Sequence, residues 1–347
     1  MFDINQLIRP HLRDLKPYSS ARDEFSGDAK IFLDANENPL GSAGDTTLNR
    51  YPDPYQRKVK EKVSELTDVP AKNIFLGNGS DEPIDLLVRA FCRPAQDSIL
   101  IMPPTYGMYE VSAGIHDTGI VRVPLRPDFT PDVEAVKVAT TPETKLLFIC
   151  TPNNPTGNDF GTAEVERLVR EFPGIAVVDE AYVDFCGRES WTSRLSEFPN
   201  LVVLRTFSKA WGMAGLRLGM AFASEEIIEI LNKIKPPYNI NELAQIEALK
   251  ALENGEKMKA MVAEIIEERS FLEEEFGKLS LVEHVFPSDS NFILAKVDKA
   301  DAVYDYLVNA GIVVRNRSRV RLCEGSLRVT VGTREENLAL IGALKNI

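Results

Sequence analysis

The sequence predicts an α/β protein built around a mainly parallel sheet. Residues 145–150 form a near-continuous apolar run, a helical segment follows at 163–172, and a second apolar run comes at 175–178. This is the order of a strand, a crossover helix and a parallel strand, and a further apolar run at 201–204 repeats the unit. Continuous apolar runs of this length are typical of strands that are buried on both faces, as parallel strands are.

The other elements follow from hydrophobic periodicity and from the proline and glycine residues that punctuate it. Helices are predicted at 56–66, 84–91, 227–233, across 239–279, and at 302–310 and 334–347. Further strands are predicted at 73–76, 98–102, 120–123, 217–223, within 281–297, and at 312–315 and 327–331. The long charged segment 239–279 is expected to bridge to a second domain. We therefore divide the chain into an N-terminal arm (1–40), a large domain (41–245) and a small domain (246–347).

Length and composition are those of a globular protein. The 347 residues are 44% hydrophobic and 27% charged. The net charge of −12 disfavours a general nucleic-acid binder. No segment has the roughly 18 consecutive apolar residues that a membrane span needs, and residues 1–15 lack the apolar run of a secretion signal. We expect a cytoplasmic protein without nucleic-acid or membrane partners.

The cysteines and histidines form no metal-binding pattern. Four cysteines are scattered without a CxxC pair, and the three histidines are equally dispersed. We therefore expect reduced thiols and no metal site. Acid–base chemistry must then fall to lysine, tyrosine or carboxylate groups.

Lys209 is the first candidate for chemistry, because it follows the buried run 201–204. A single lysine in a glycine-containing loop is usually a solvated surface charge, but its neighbours favour a function. Thr206 and Ser208 precede it, and Arg217 follows among several glycines. Hydroxyl groups and a guanidinium form a phosphate cradle. A lysine beside such a cradle indicates pyridoxal phosphate (PLP), whose aldehyde forms a Schiff base with a lysine amine.

Three polar residues leave the sheet at the edge where Lys209 lies. Asp179 follows four apolar residues, where a carboxylate is costly unless it is paired with a positive group. A protonated pyridine nitrogen is such a partner. Asn154 and Tyr182 are placed to donate hydrogen bonds to the phenolate oxygen of the same ring.

Several further positions allow both a structural and a functional interpretation. Ser80 is placed to cap the helix at 84–91 with Asp81 beside it, and the free amides there could instead hold a phosphate. Tyr106 ends a strand, where it either packs in the core or stacks on a flat cofactor. Arg328 lies inside an apolar strand and needs an anion. The arginines interpreted as surface charges are Arg317, Arg319 and Arg321.

Four motifs, GNGSDE, NNPTG, VVDEAY and SKAWGMAGLRLG, resemble the fold-type I PLP-dependent aminotransferases. Further motifs are similar to the histidinol-phosphate branch of that family, namely LKPYSSAR, LDANENP, LNRYPDP, PTYGMY and LRVTVGTREEN. Together they extend over nearly the whole chain. The resemblance implies a mainly parallel seven-stranded sheet in a large domain, a smaller α+β domain, PLP as the cofactor, and a homodimer.

The resemblance also implies roles at the matching positions. Lys209 would be the catalytic lysine, and Asp179 would bind the ring nitrogen. The other expected cofactor contacts are Ser80, Asp81, Tyr106, Asn154, Tyr182, Thr206, Ser208 and Arg217, and Tyr51 would reach the cofactor phosphate of the neighbouring subunit. The residues expected on the substrate side are Tyr18, Glu37, Asn38, Arg315 and Arg328.

The implied reaction is reversible amino transfer between L-histidinol phosphate and 2-oxoglutarate, which yields imidazole acetol phosphate and glutamate in histidine biosynthesis. Three alternatives remain open on the same fold. One is a threonine-phosphate decarboxylase, which would release carbon dioxide. Another is an aminotransferase for aromatic amino acids, which would turn over without a phosphorylated substrate. The third is a protein that only binds PLP.

Overall fold

The computed structural model describes residues 3–18, 30–44 and 46–347. Its large sheet contains β1 (Ile74–Asn78), β2 (Ser98–Ile101), β3 (Gly119–Arg122), β4 (Thr144–Cys150), β5 (Ile175–Asp179), β6 (Leu201–Thr206) and β7 (Leu218–Ala223). The strand order is β1-β7-β6-β5-β4-β2-β3. Pairing is parallel from β6 through to β3, whereas β7 runs antiparallel to both of its neighbours. The predicted seven-stranded, mainly parallel sheet is confirmed.

Apolar layers cover both faces of this sheet. Neighbouring residues of a strand point to opposite faces, and in β6 Val203 belongs to one buried cluster and Val202 to the other. The helices in this part of the chain are α1 (Ile4–Leu7), α2 (Pro10–Arg13), α3 (Arg57–Thr67), α4 (Asp81–Phe91), α5 (Met108–Ile115), α6 (Val133–Ala139), α7 (Thr162–Glu171), α8 (Glu225–Ile234) and α9 (Glu242–Leu252). The continuous apolar runs in the sequence reflect this double burial.

A second sheet follows, with β8 (Val282–Phe286), β9 (Phe292–Val297), β10 (Arg315–Asn316) and β11 (Ser326–Thr330). Its order is β10-β11-β9-β8, and every pairing is antiparallel. It packs with α10 (Gly255–Phe276), α11 (Ala300–Asn309) and α12 (Arg334–Leu344) around its own apolar core. Thr333 and Glu336 form a capping box at the start of α12, which satisfies two backbone amides.

A small apolar cluster joins the two parts of the molecule. Tyr182 follows the large sheet, and its ring contacts Phe292 of β9 edge-on at a centroid distance of 5.3 Å. Val262 of α10 belongs to the same cluster. Side chains of the second sheet therefore reach the edge of the first. The expected domain boundaries after residues 40 and 245 stay a prediction.

Several predicted elements differ from the observed ones. Segment 239–279 forms two helices rather than one, because the chain turns at Glu253 and Asn254. The helix predicted at 84–91 already begins at Asp81, since a proline is tolerated in the first helical turn. Helices α5 and α6 were not predicted, because seven or eight residues give too little periodicity. None of the helices in the described residues is long and apolar enough to cross a bilayer.

Candidate active site

A cavity of about 150 Å³ opens at the carboxyl ends of β4, β5 and β6. Parallel strands present these ends at a common edge, which is where α/β proteins bind ligands. The residues that line it are Gly79, Ser80, Asp81, Tyr106, Cys150, Asn154, Asp179, Ala181, Tyr182, Thr206, Ser208, Lys209, Ala214 and Arg217. The fold thus brings together every predicted cofactor residue except Tyr51.

The loop after β1 crosses closely over β7 at one side of the cavity. Gly79 has a φ of +69° and its amide donates to the carbonyl of Arg217 at 2.8 Å. A Cβ atom on Gly219 would lie 2.3 Å from the backbone nitrogen of Ser80. Only a glycine at position 219 permits this approach. Backbone contact between the loop and β7 therefore holds the loop amides beside the cavity.

The side chain of Ser80 does not cap α4, contrary to one of its two predicted interpretations. No hydrogen bond runs from a helix amide to its hydroxyl. Instead, the carboxylate of Glu82 accepts from the backbone nitrogen of Asn78 at 2.6 Å, which fixes the loop from the other side. Ser80 and Asp81, at the start of α4, line the cavity, and the dipole of the helix favours an anion at this end.

Arg217 closes the same corner of the cavity. It adopts a left-handed conformation with a φ of +55°. Its Nη1 lies 3.5 Å from the hydroxyl of Ser208, and its Nη2 lies 3.5 Å from a carboxylate oxygen of Asp81. Thr206 in turn accepts a hydrogen bond from the Ser208 amide at 3.1 Å. Hydroxyls, amides and a guanidinium converge as a phosphate site requires.

Asp179 lies at the floor of the cavity as a buried carboxylate. It accepts hydrogen bonds from the hydroxyl of Tyr109 at 2.7 Å and from the amide of Ala181 at 3.1 Å. Burial raises its pKa from 3.8 to about 6, although the Tyr109 hydrogen bond acts in the opposite direction. Within the described chain, no basic side chain forms an ion pair with it. A cationic ligand would supply the missing charge.

Tyr109 is the functional residue that sequence reasoning missed. It is fully buried in α5, its ring stacks on Phe148 at 4.5 Å, and its hydroxyl holds Asp179. Tyr106 lies three residues earlier, and its hydroxyl donates to Asp81 at 3.0 Å. Tyr106 precedes α5 and Tyr109 lies in its first turn, so the role of Tyr109 could have been predicted only if this short helix had been recognised.

Lys209 projects into the cavity beside Tyr182, with its Nζ atom 5.5 Å from the centre of that ring. Burial lowers the pKa of Lys209, and the positive charge of Arg328 lowers it further. Tyr182 accepts a hydrogen bond from Asn154 at 3.4 Å, and the Asn154 carbonyl accepts one from Arg328. The lowered pKa of Lys209 favours the neutral, nucleophilic form of its amine.

Arg328 of the small sheet donates to the cavity-lining residue Asn154, and Arg315 is its cross-strand neighbour. They are directly paired across β11 and β10, and Arg328 also lies over the ring of Phe292 at 5.1 Å. Arg328 is half-buried, as its apolar neighbours predicted, whereas Arg315 is exposed. Guanidinium groups in this position suit an anionic part of a substrate.

Arg315 and Arg328 are not part of the cavity lining, and the remaining predicted residues also lie outside it. Glu37 accepts from the Arg50 side chain at 2.6 Å and from the Tyr51 amide at 2.7 Å, so it holds the segment that carries Tyr51. Tyr51 stacks on Tyr238 and is half exposed. Asn38 caps a local turn at Leu40, and Tyr18 is exposed. Their ligand-binding roles stay predictions, and residues 19–22 of the LKPYSSAR motif lie outside the described residues.

Replacing Gly219 with alanine is expected to lower the free energy of unfolding by about 1–3 kcal/mol, because the methyl group would force the Gly79 loop off β7. Urea denaturation measures this change. The matched control is Gly215→Ala in the turn just before β7, where an added Cβ meets no atom within 4 Å. Equal losses in the two variants would contradict the proposed close approach.

Three comparisons connect this geometry to known proteins. The family model for aminotransferase class I and II matches residues 29–344. The chain is 55% identical to histidinol-phosphate aminotransferase of Cytophaga hutchinsonii, over 99% of each chain. It is 52% identical to the protein of that name from Christiangramia forsetii, over 100% of this chain and 98% of the relative.

The fold also matches a solved structure. The chain resembles the crystal structure of histidinol-phosphate aminotransferase from Sinorhizobium meliloti in complex with pyridoxal-5'-phosphate, with a TM-score of 0.80 and 25% identity. The match covers 90% of this chain and 89% of that one. Taken with the family model and the full-length relatives, it shows that the chain belongs to the class I and II aminotransferases.

Proposed function

We propose that the chain is a PLP-dependent aminotransferase that converts L-histidinol phosphate and 2-oxoglutarate into imidazole acetol phosphate and glutamate, as a step of histidine biosynthesis. The observation that carries the proposal is one cavity that combines Lys209, the unpaired buried carboxylate of Asp179, and an anion cradle around Arg217. The names of the relatives at 55% and 52% identity support the choice of substrate. They do not favour the decarboxylase or the aromatic aminotransferase.

The residues fit PLP in charge and in hydrogen-bonding capacity. Asp179 would hold the ring nitrogen in its protonated form, which explains a carboxylate buried without a basic partner. The amides at Ser80 and Asp81, together with Thr206, Ser208 and Arg217, would hold the phosphate. Tyr106, Asn154 and Tyr182 would contact the ring. When bound, PLP supplies an electron-withdrawing ring that stabilises negative charge on the substrate carbon.

Lys209 would hold the cofactor covalently and then act as the acid and base. Its lowered pKa favours a neutral Nζ, which can take the Cα proton of the substrate. The same atom then returns the proton during reprotonation. Because Lys209 is partly buried, exchange of this proton with solvent between the two transfers would be slowed.

Arg315 and Arg328 would bind the substrate phosphate in one half-reaction and a carboxylate of 2-oxoglutarate in the other, because a guanidinium fork accepts both. Glu37, Asn38 and Tyr18 would complete the substrate side. Tyr51, which is half exposed, would reach the cofactor phosphate of a second subunit in a cytoplasmic homodimer. By the predicted boundaries, Tyr18, Glu37 and Asn38 belong to the arm, Tyr51 belongs to the large domain, and Arg315 and Arg328 belong to the small domain.

A single-turnover absorbance measurement tests the proposed function. PLP-loaded protein is mixed with L-histidinol phosphate in the absence of a keto acid. We expect the visible band of the lysine-bound cofactor to disappear, and addition of 2-oxoglutarate to restore it. If the band does not change with this amine but changes with phenylalanine, the aromatic aminotransferase is supported instead. If it changes only with threonine phosphate and carbon dioxide is released, the decarboxylase is supported.

A further inference from the structure

Arg317 belongs to the same surface of the small sheet as Arg315 and Arg328. Its backbone nitrogen donates to the carbonyl of Ser326 at 2.8 Å, so the ladder between β10 and β11 continues by one residue. Since Arg315 is paired with Arg328, Arg317 is opposite Ser326. Alternate residues of a strand share a face, which places all three arginines on one side. Arg317 was interpreted above as a surface charge, and the structure corrects that interpretation.

Arg317 is half-buried, whereas Arg319 and Arg321 are exposed as expected. Its Nε atom is buried and has no hydrogen-bond partner in the described part of the chain. The same is true of Nε of Arg328 and of the hydroxyl of Ser326. Buried donors are nearly always satisfied in native proteins. Three unsatisfied donors on one face are sites where an acceptor from outside the protein, a water molecule or a ligand, would bind.

Burial and neighbouring positive charges both lower the pKa values of Arg317 and Arg328. Burial lowers the pKa of Arg317, and the positive charge of Arg315 adds to the effect. Burial likewise lowers the pKa of Arg328, with Arg317 as the next cause. No Asp or Glu among the described residues forms an ion pair with any of the three. Tyr182, which lines the cavity, lies close enough to act on both Arg317 and Arg328.

We propose that Arg317 is a third arginine for the substrate phosphate and that it sets the preference for a phosphate monoester over a carboxylate. The inference rests on the proposed function and assigns an anion subsite beside that cavity, next to the contact of Arg328 with the lining residue Asn154. One carboxylate carries a single negative charge, which Arg315 and Arg328 together already exceed, so a third positive charge adds comparatively little to its binding. A phosphate dianion carries about twice that charge and has three acceptor oxygens. The additional guanidinium therefore attracts the phosphate more strongly than the carboxylate.

The test compares Arg317→Gln with wild type for both amino donors. With L-histidinol phosphate, we expect kcat/KM to fall about 10- to 100-fold, mainly through KM, because one charge-assisted contact is lost. With glutamate as the donor in the reverse direction, we expect a change of less than about threefold. Arg317→Lys should recover part of the loss, since it keeps the charge but not the planar fork. Arg319→Gln, two residues away and exposed, is the matched control and should match wild type.

The outcomes separate this inference from the proposed function. A wild-type protein that does not react with L-histidinol phosphate contradicts the proposed function itself. A reactive wild type whose Arg317→Gln variant is unchanged, or loses both donors equally, contradicts only the role of Arg317. Competition by inorganic phosphate against glutamate gives a second readout. We expect its inhibition constant to rise about 10-fold in Arg317→Gln, and an unchanged constant would also overturn the assignment.

Discussion

Replacement of Lys209 by alanine is expected to lower kcat/KM by more than about 10⁴-fold, since one side chain supplies both the covalent attachment and the acid–base group. The variant should still bind PLP, because the cradle around Arg217 and the carboxylate of Asp179 remain. The measurement combines steady-state rates with a PLP titration that follows protein fluorescence. Partial rescue by added methylamine is expected, since a small amine can take the proton in place of Nζ.

Two variants act as controls for this result. Lys209→Arg keeps a positive charge at the cavity but cannot form the attachment, so it should be as inactive as Lys209→Ala. Lys250→Ala removes an exposed lysine of α9 and should leave the rate unchanged. Turnover of Lys209→Ala within tenfold of wild type would exclude this lysine from the chemistry.

Replacement of Asp179 by asparagine is expected to have opposite effects on activity and on the stability of the cofactor-free protein. Activity should fall about 10²- to 10³-fold, because a neutral amide no longer keeps a ring nitrogen protonated in a buried site. Steady-state kinetics with saturating PLP measures this loss. Tyr109→Phe should cause a smaller loss, since it removes only the hydrogen bond that orients Asp179.

The stability effect follows from the raised pKa of Asp179. Between pH 3.8, the ordinary value, and about 6, the native state keeps a proton that the unfolded chain has released. The stability of the native state therefore falls as the pH rises through this range, by roughly 3 kcal/mol in total at 1.36 kcal/mol per pH unit. Asparagine carries no charge. Cofactor-free Asp179→Asn should be more stable than wild type at pH 8 and similar to it below pH 4.

Glu180 provides a matched control one residue away. It is equally buried, but its carboxylate pairs with Arg188 at 3.0 Å and accepts from the Trp191 amide at 3.0 Å. Glu180→Gln breaks a buried ion pair and should destabilise the cofactor-free protein at pH 8 by about 3 kcal/mol or more. If both variants destabilise the cofactor-free protein equally at pH 8, Asp179 is an ordinary structural carboxylate.

The local patterns of the sequence determined much of the site. Thr206, Ser208 and Lys209 could be placed together because they directly follow a buried strand, and Asp179 could be placed because it ends another. Polar residues at the carboxyl ends of parallel strands meet at one edge of the sheet, whatever the details of the loops. Only the direction of the strands is needed to place these residues, and the order of strand, crossover helix and strand in the sequence predicts that direction.

Contacts between distant segments could be decided only by tertiary structure. Tyr109 and Asp179 are 70 residues apart, and their hydrogen bond depends on the packing of α5 against the sheet. Likewise, Arg317 and Arg319 have the same residue type and similar neighbours in a basic stretch. Arg317 continues the pairing with β11 and is half-buried, whereas Arg319 is exposed. Burial and side-chain pairing are properties of the packed molecule. The spacing of apolar residues along the chain determines where the strands end. The packing of sheets and helices determines which side chains come into contact.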